Sequence, residues 1–267
     1  MNFNDFLGKI NESRAQIINE EEFYEKTKKI LKGIEYDSYV TKKTIKFNQI
    51  WRGLSTIQED YVFYNNLSST NRLQRPKNPN SYIYNIWIDT HPSWEKYPKR
   101  KHSLIMSNDS EYASNYSYEG DPHLVIMDLK AKCGICPTDD IWYSFSDAKD
   151  MHEWFPKNYF KNFIPNDWRD IISKFDEIFK KYGFKSLDKK HNIKNNNPQF
   201  YELFMTIYDP KDSFNTLEEI LSQYLDPQTN GFKLATFGEI ITKRVKLPYS
   251  CEIWASEPAY LCSINVL

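Results

Sequence analysis

The period of the apolar pattern changes several times along this chain, and that alternation restricts its possible folds more than any other feature. Through residues 3–34 the apolar positions recur at helical spacing: Phe3, Phe6, Leu7 and Ile10, then Ile17, Ile18, Phe23, Ile30 and Leu31 after a polar break, with Gly33 as a stop. From about residue 44 to residue 67 the pattern turns to short runs rich in β-branched and aromatic residues, TIKFNQIWRGL and DYVFYNNL. Residues 68–81 are polar with two prolines and read as a loop. A short apolar segment, YIYNIWI, follows, then a loop with Pro92 and Pro98. SLIMS reads as a short buried strand, and SEYASNY as one or two helical turns with Ala113 and Tyr116 on one face. HLVIMDL at 123–129 is the clearest strand.

Helical character returns in DWRDIISKFDEIFKKYGF at 167–184, where Trp168, Ile171, Ile172, Phe175, Ile178 and Phe179 form one stripe, and again in LEEILSQYL at 217–225. The last thirty residues are strand-like once more, KRVKLPYSCEIWAS and AYLCSINVL, with Pro258 between them. Helix, strands, helices, strands in one chain predicts an α+β fold. The expected organisation is a single domain over 1–267, with N-terminal helices in 1–40 and a mostly helical insertion in 147–230.

Charge and cysteine usage narrow the function classes. The chain carries 35 basic and 36 acidic residues, a net charge of −1, so it lacks the basic surplus that a general affinity for phosphate backbones requires. Short basic stretches at Lys42–Lys43–Lys46, Lys96 with Lys99–Arg100–Lys101, and Lys189–Lys190 read as solvated faces. The start has no basic n-region followed by an apolar stretch, and no apolar run approaches the roughly 20 residues of a membrane span. The expectation is a soluble, cytoplasmic protein without a membrane partner. Cys133 and Cys136 have C-x-x-C spacing, but no second such pair follows and Cys251 and Cys262 have no nearby His. The expected metal content is none, with four reduced and mostly buried thiols.

Three places carry residues of chemical interest. Arg52 lies inside Ile50-Trp51-Arg52-Gly53-Leu54, where a guanidinium at a strand end could meet an anion and Gly53 could let that anion approach; the alternative is an edge-strand Arg reaching water. Ser107 ends the strand 103–107 and runs through Asn108 and Asp109 into a helix, which presents a hydroxyl near helix amides or simply caps the helix. Glu252, within Cys251-Glu252-Ile253-Trp254, is either an exposed strand carboxylate or one held in a cleft. Asp139 and Asp140 read as turn residues after Pro137.

An Arg on one strand, a Ser ending a second and a Glu on a late third resemble the arginine–serine–glutamate ADP-ribosyltransferases, most closely the small phage-encoded members. The apolar-aromatic-Arg-Gly motif matches Ile50 to Gly53. The strand ending S-x-S, followed by Ala and an aromatic residue in the next helix, is similar to Ser107, Ala113 and Tyr116. The C-terminal E-x-E and final strand are similar to Glu252 and AYLCSI. Two positions depart: Ile105 replaces the first Ser of S-x-S, and Ser250 replaces the first Glu of E-x-E, which in the family goes with arginine as acceptor.

The resemblance implies a split β-sheet core and NAD as substrate. It also implies a macromolecular acceptor, protein or nucleic acid, and a phage protein acting on host machinery. It implies Arg52 on the NAD diphosphate or ribose with Gly53 beside it, and Ser107 on the nicotinamide ribose. Glu252 would be the carboxylate that stabilises the oxocarbenium-like charge, and Tyr116, with Tyr112 and Tyr118 behind it, the aromatic for the nicotinamide ring. The Ile105 and Ser250 departures sustain an alternative, a catalytically inactive interaction or virion-associated protein of the same fold.

Overall fold

The computed structural model describes residues 15–41, 46–65, 79–145, 163, 165–181 and 217–267. In chain order the elements are β1 (Ala15–Ile17), α1 (Glu20–Ile30), α2 (Tyr36–Tyr39), β2 (Trp51–Arg52), β3 (Tyr61–Tyr64), α3 (Pro79–Thr90), β4 (Leu104–Ser107), α4 (Ser110–Ser114), β5 (His123–Met127), β6 (Lys132–Ile135), α5 (Trp168–Lys181), α6 (Leu217–Tyr224), β7 (Lys233–Thr236), α7 (Phe237–Ile241), β8 (Glu252–Ala255) and β9 (Ala259–Ser263). The fold is mixed α and β around a large antiparallel sheet, as the alternating pattern predicts at the level of class.

The chain divides into two compact units. The first comprises residues 1–75, 96–144 and 231–267 and contains the whole sheet, in the order β1-β3-β9-β5-β2-β4-β8-β6-β7. Its central strands are buried along their length: β5 at every position and β8 at every position. Such strands read as unbroken apolar runs because both faces are covered, which is why HLVIM was the clearest strand in the sequence. The two halves of the sheet meet where β2 lies beside β4, and one residue pair, Trp51 with Ser107, registers that join. Elsewhere the ladders are longer, with five registered pairs between β5 and β9 and four between β4 and β8.

Local chemistry explains the flanking helices. Asn19 caps α1 by accepting from the Glu22 amide at 2.8 Å; Glu20, Glu21 and Glu22 occupy its first turn and Lys28 and Lys29 its last, matching the helix dipole. Phe23 on its buried face packs 5.0 Å from Tyr61 and 6.4 Å from Tyr260 by ring centroids. Gly33 follows at φ 91°, the left-handed conformation glycine adopts at lowest cost. α7 carries a full capping box between Thr236 and Glu239.

The structure corrects several sequence expectations. Ala15–Ile17, expected to continue the N-terminal helix, is a strand pairing with Tyr61–Tyr64, because a sheet edge offers its backbone a partner that local helical spacing does not reveal. The expected helical positions Phe3 to Ile10 lie outside the described residues. The strand-like run from 243 begins only at Glu252; Lys243 has φ 60° and the residues between form a turn-rich connection. β6 and β7 have no counterpart in the sequence reading.

The second unit comprises residues 76–95 and 145–230 and is helical where described, with α3, α5 and α6. The apolar segment YIYNIWI is part of α3, and residues 84–89 are buried on all sides. His91 stacks on Trp87 at 4.4 Å and meets Trp168 edge-on at 5.0 Å. Its Nδ1 accepts from the Ser93 amide, so Nε2 carries the proton toward Ser222 Oγ at 3.1 Å. Burial holds the pKa of this imidazole below its ordinary value, opposed by the charge of Asp226. Among the described residues no helix is long and apolar enough to cross a membrane.

Candidate functional site

The three residues singled out in the sequence fall on three neighbouring strands, β2, β4 and β8. Ser107 stands directly opposite Glu252, and Trp51, the residue before Arg52, stands opposite Ser107. Opposed residues of antiparallel neighbours share a face, so Trp51, Ser107 and Glu252 form one row. Alternation along β2 starts the Arg52 side chain on the other side, and its Nη1 donates to the carbonyl oxygen of Ile105 at 2.8 Å. Ser107 and Glu252 are both buried.

Glu252 is held from several directions. Its amide donates to the Thr138 carbonyl and its carbonyl accepts from the Cys136 amide, both at 2.9 Å. The connection leading into β8 is fastened by Asn108, whose Nδ2 donates to the Pro248 carbonyl at 2.9 Å and whose Oδ1 accepts from the Cys251 amide at 2.7 Å. Asn108 and Asp109 therefore share the work after Ser107. Asp109 caps α4 by accepting from the Glu111 amide at 2.9 Å, and Ser107 Oγ accepts from the Asp109 amide at 3.0 Å.

The carboxylate itself meets a residue that sequence reasoning missed. Arg100 donates from Nη2 to both carboxylate oxygens of Glu252, at 2.8 and 3.0 Å, and from Nε to Oε1 at 3.1 Å. Arg100 is 9% exposed and Glu252 8%. In the sequence Arg100 sits in a basic run that reads as a solvated face; only the tertiary pairing distinguishes it from Lys99 and Lys101. Trp254 is central to that placement. Its indole lies over Gly134, where any Cβ would run into the ring, and its Nε1 donates to the Pro98 carbonyl at 2.9 Å while Tyr97 stacks on it at 6.1 Å. The short 3-10 turn Arg100–His102 follows, and Ser103 closes it by donating to the Lys99 carbonyl at 2.8 Å.

The electrostatics follow from burial and this pairing. Burial pushes the Glu252 carboxyl above the ordinary carboxylate range; the charge and hydrogen bonds of Arg100 pull it back, and the charge of Asp140 adds to the upward push. For Arg100, burial works against the charged form, but the charge and hydrogen bonds of Glu252 outweigh it and keep the guanidinium protonated. Cys136 Sγ lies 3.9 Å from Glu252 Oε1, and burial followed by the charge of Glu252 raises its thiol well above the ordinary value. Burial likewise pushes Cys133 and Cys251 up to about 12. These thiols stay protonated at neutral pH, which leaves them poor nucleophiles and poor metal ligands. No cluster of three or more His, Cys, Asp or Glu side chains suited to a metal ion occurs among the described residues.

Gly53 and the tyrosines complete the surroundings. A Cβ at position 53 would run into the Ala113 carbonyl oxygen and lie 2.6 Å from the Tyr116 carbonyl carbon. The end of α4 thus rests directly on the backbone after Arg52, and this packing is sufficient reason for a glycine there. Tyr116 is 56% exposed, and its hydroxyl lies 3.3 Å from that of half-buried Tyr112. Burial and then the bond to Tyr116 raise the Tyr112 phenol, with the charges of Asp140 and Asp139 adding to the effect. Tyr118 and Tyr143 are exposed, and Tyr249, in the connection fastened by Asn108, is 99% exposed. Buried polar residues at the strand row and exposed aromatic rings on the adjoining loops make a chemically distinct region within the sheet unit.

No protein-family model, no curated protein and no solved structure matches the chain.

Proposed function

We propose that this chain is an NAD-dependent ADP-ribosyltransferase that moves ADP-ribose from NAD to a macromolecular acceptor, protein or nucleic acid. The observation that carries the reading is the strand row: residues far apart in sequence meet as Ser107 directly opposite Glu252, with Arg52 on the next strand. In this reading Arg52 contacts the NAD diphosphate through charge-assisted hydrogen bonds. Ser107 positions the nicotinamide ribose, and Tyr116 offers an aromatic face. The bond from ribose C1′ to the nicotinamide nitrogen breaks with its electron pair leaving on nicotinamide, and an acceptor nucleophile then bonds to C1′. Glu252 stabilises the positive charge that develops on the ribose, the demand glycoside hydrolysis makes of its carboxylates. Ser250, where the family's E-x-E has its first Glu, leaves the acceptor open to groups other than arginine. The context that fits the phage resemblance is a viral protein acting on host machinery.

A second reading is favoured by two observations. Arg52 spends a donor on the Ile105 carbonyl, and both oxygens of Glu252 are engaged by Arg100. A protein that keeps the strand framework for contact alone would show such internal pairing.

Incubation with labelled NAD and a cell lysate separates the two. Transfer of label that is lost in Glu252→Gln supports the transferase, and sensitivity of the labelled product to protease or nuclease names the acceptor class. No transfer and no NAD binding by the folded wild type would leave the contact reading.

A further inference from the structure

We infer that Arg100 is a positioning residue for Glu252: its guanidinium fixes the carboxylate in one orientation and sets a cation against it, favouring the charged form on which the proposed transfer depends. The catalytic part of this inference rests on the transferase reading; the hold on the carboxylate does not.

The geometry is specific. Three hydrogen bonds from one guanidinium reach the two oxygens of Glu252, so the carboxylate plane is set by a rigid planar fork. Lysine offers a point charge without that planarity. The fork is delivered by the segment that Trp254 holds through the Pro98 carbonyl, and Trp254 lies two residues beyond Glu252 on the same strand. Ser103, which closes the 3-10 turn, also lies 3.0 Å from Ser256 Oγ just past β8. Acid and base are therefore tied to each other at both ends by their own backbone segments.

The charge of Arg100 acts independently of the orientation it imposes. An isolated carboxylate as buried as Glu252 escapes the cost of desolvation by taking up a proton, and a neutral carboxyl cannot stabilise a developing cation. Among the described residues, a few groups act on Glu252. Arg100 approaches from the 3-10 turn, and Asp140 and the Ile141 backbone donor from the turn after β6. The Cys136 thiol lies at the end of β6, and the Cys251 thiol precedes Glu252 in sequence. Arg100 is the single cation in that set. Asp140 opposes it, and both thiols are protonated. Loss of Arg100 leaves burial and Asp140 favouring the neutral acid against the Ile141 backbone donor.

The test uses the full chain and two readouts. The side-chain carboxyl carbon of Glu252, assigned by its disappearance in Glu252→Gln, is titrated by carbon NMR in the wild type, Arg100→Gln and Arg100→Lys. The expected result is a titration midpoint at higher pH in Arg100→Gln, with Arg100→Lys returning most of the way to wild type. The pH profile of nicotinamide release is then expected to move its acid limb the same way. The rate in Arg100→Gln falls by about 100-fold near neutral pH. Arg100→Lys recovers the acid limb but not the full rate, because it supplies charge without the fork.

A merely structural Arg100 would lower activity in proportion to lost fold and leave the acid limb unmoved. A Glu252 midpoint in folded Arg100→Gln equal to that of the wild type overturns the inference. Should the wild type release no nicotinamide, the transferase reading falls, and the Glu252 resonance still decides whether Arg100 holds the charge.

Discussion

The two halves of the sheet solve the same packing problem by different means. In the half formed by β1, β3, β9, β5 and β2, the buried positions are almost wholly apolar. Val125, Ile126, Met127 and Leu261 are fully buried, and Phe23 from α1 packs against the rings of Tyr61 and Tyr260. That half also buries His123, whose Nε2 donates to the Glu59 carbonyl at 2.9 Å and whose pKa is lowered by burial, which favours the neutral ring. In the half formed by β4, β8, β6 and β7, an equally buried region contains the Arg100–Glu252 ion pair. Apolar packing tolerates a change of side chain if volume is kept; a buried ion pair loses heavily when either partner is removed. The difference makes the second half the place for the proposed site, since a well-packed apolar pair would hold β8 as firmly without a buried charge.

The largest effect that would sharpen this contrast is Glu252→Gln measured by urea unfolding. It removes the carboxylate that pairs with the buried Arg100 charge and should cost roughly 3–5 kcal/mol. The double variant Arg100→Met with Glu252→Gln should recover much of that, because the buried cation is removed together with the carboxylate it pairs with. A cost for Glu252→Gln of well under 1 kcal/mol would erase the proposed distinction between the halves.

A smaller loss is expected at their junction. Gly53→Ala forces a methyl group against the Ala113 carbonyl and the backbone at Tyr116, which are not flexible side-chain ends. It should destabilise by about 1–3 kcal/mol, with the C-terminal end of α4 losing amide exchange protection first. Full retention of stability and protection would show that the close packing over β2 is not required.

The smallest effect concerns His123 and has a defined sign. Its folded pKa lies below the unfolded value of about 6.5, chiefly through burial, with the Glu59 carbonyl bond and the charges of Asp60 and Asp121 opposing. The unfolded chain therefore binds a proton first as pH falls. The stabilisation is complete above the unfolded pKa and is lost as pH drops from there through the folded pKa. The contribution should approach at most about 1.4 kcal/mol per pH unit. His123→Gln should flatten that part of the stability profile, leaving the contribution of His91, whose pKa is lowered in the same direction. An unchanged slope would mean that His123 is not the group responsible.

How much of this was legible in the sequence depended on whether a residue's meaning is local. β4, β5, β8 and β9 were legible because buried central strands need continuous apolar residues. Arg52, Ser107 and Glu252 were singled out together, by their order and type along the chain and the resemblance this carries; each alone also fits an ordinary strand or cap residue. β6 was not: Lys132-Cys133-Gly134-Ile135 contains a glycine that weakens any strand pattern, and its purpose is visible only when the indole of Trp254 lies over it. β1 escaped notice because three residues are too few to show a period of two, and Ile17 and Ile18 also fit a helix. Arg100 was illegible for the opposite reason to Glu252. It stands in a run of basic residues, and nothing local separates the one that pairs inside from those that face water. Asn108 read as an ordinary cap residue, whereas its amide spans to Pro248 and Cys251 and holds the approach to β8.

That the row of Ser107 and Glu252, with Arg52 on the next strand, is a site for transfer from NAD is a proposal that nicotinamide release tests. Purified wild type and Glu252→Gln would be compared with NAD alone and with lysate added, at a temperature where melting curves show both folded. Release by the wild type is expected, with a fall of about 100-fold or more in Glu252→Gln and NAD affinity little changed because the carboxylate would act on the transition state. Release that persists undiminished in folded Glu252→Gln, or no release and no NAD binding by the wild type, would contradict it.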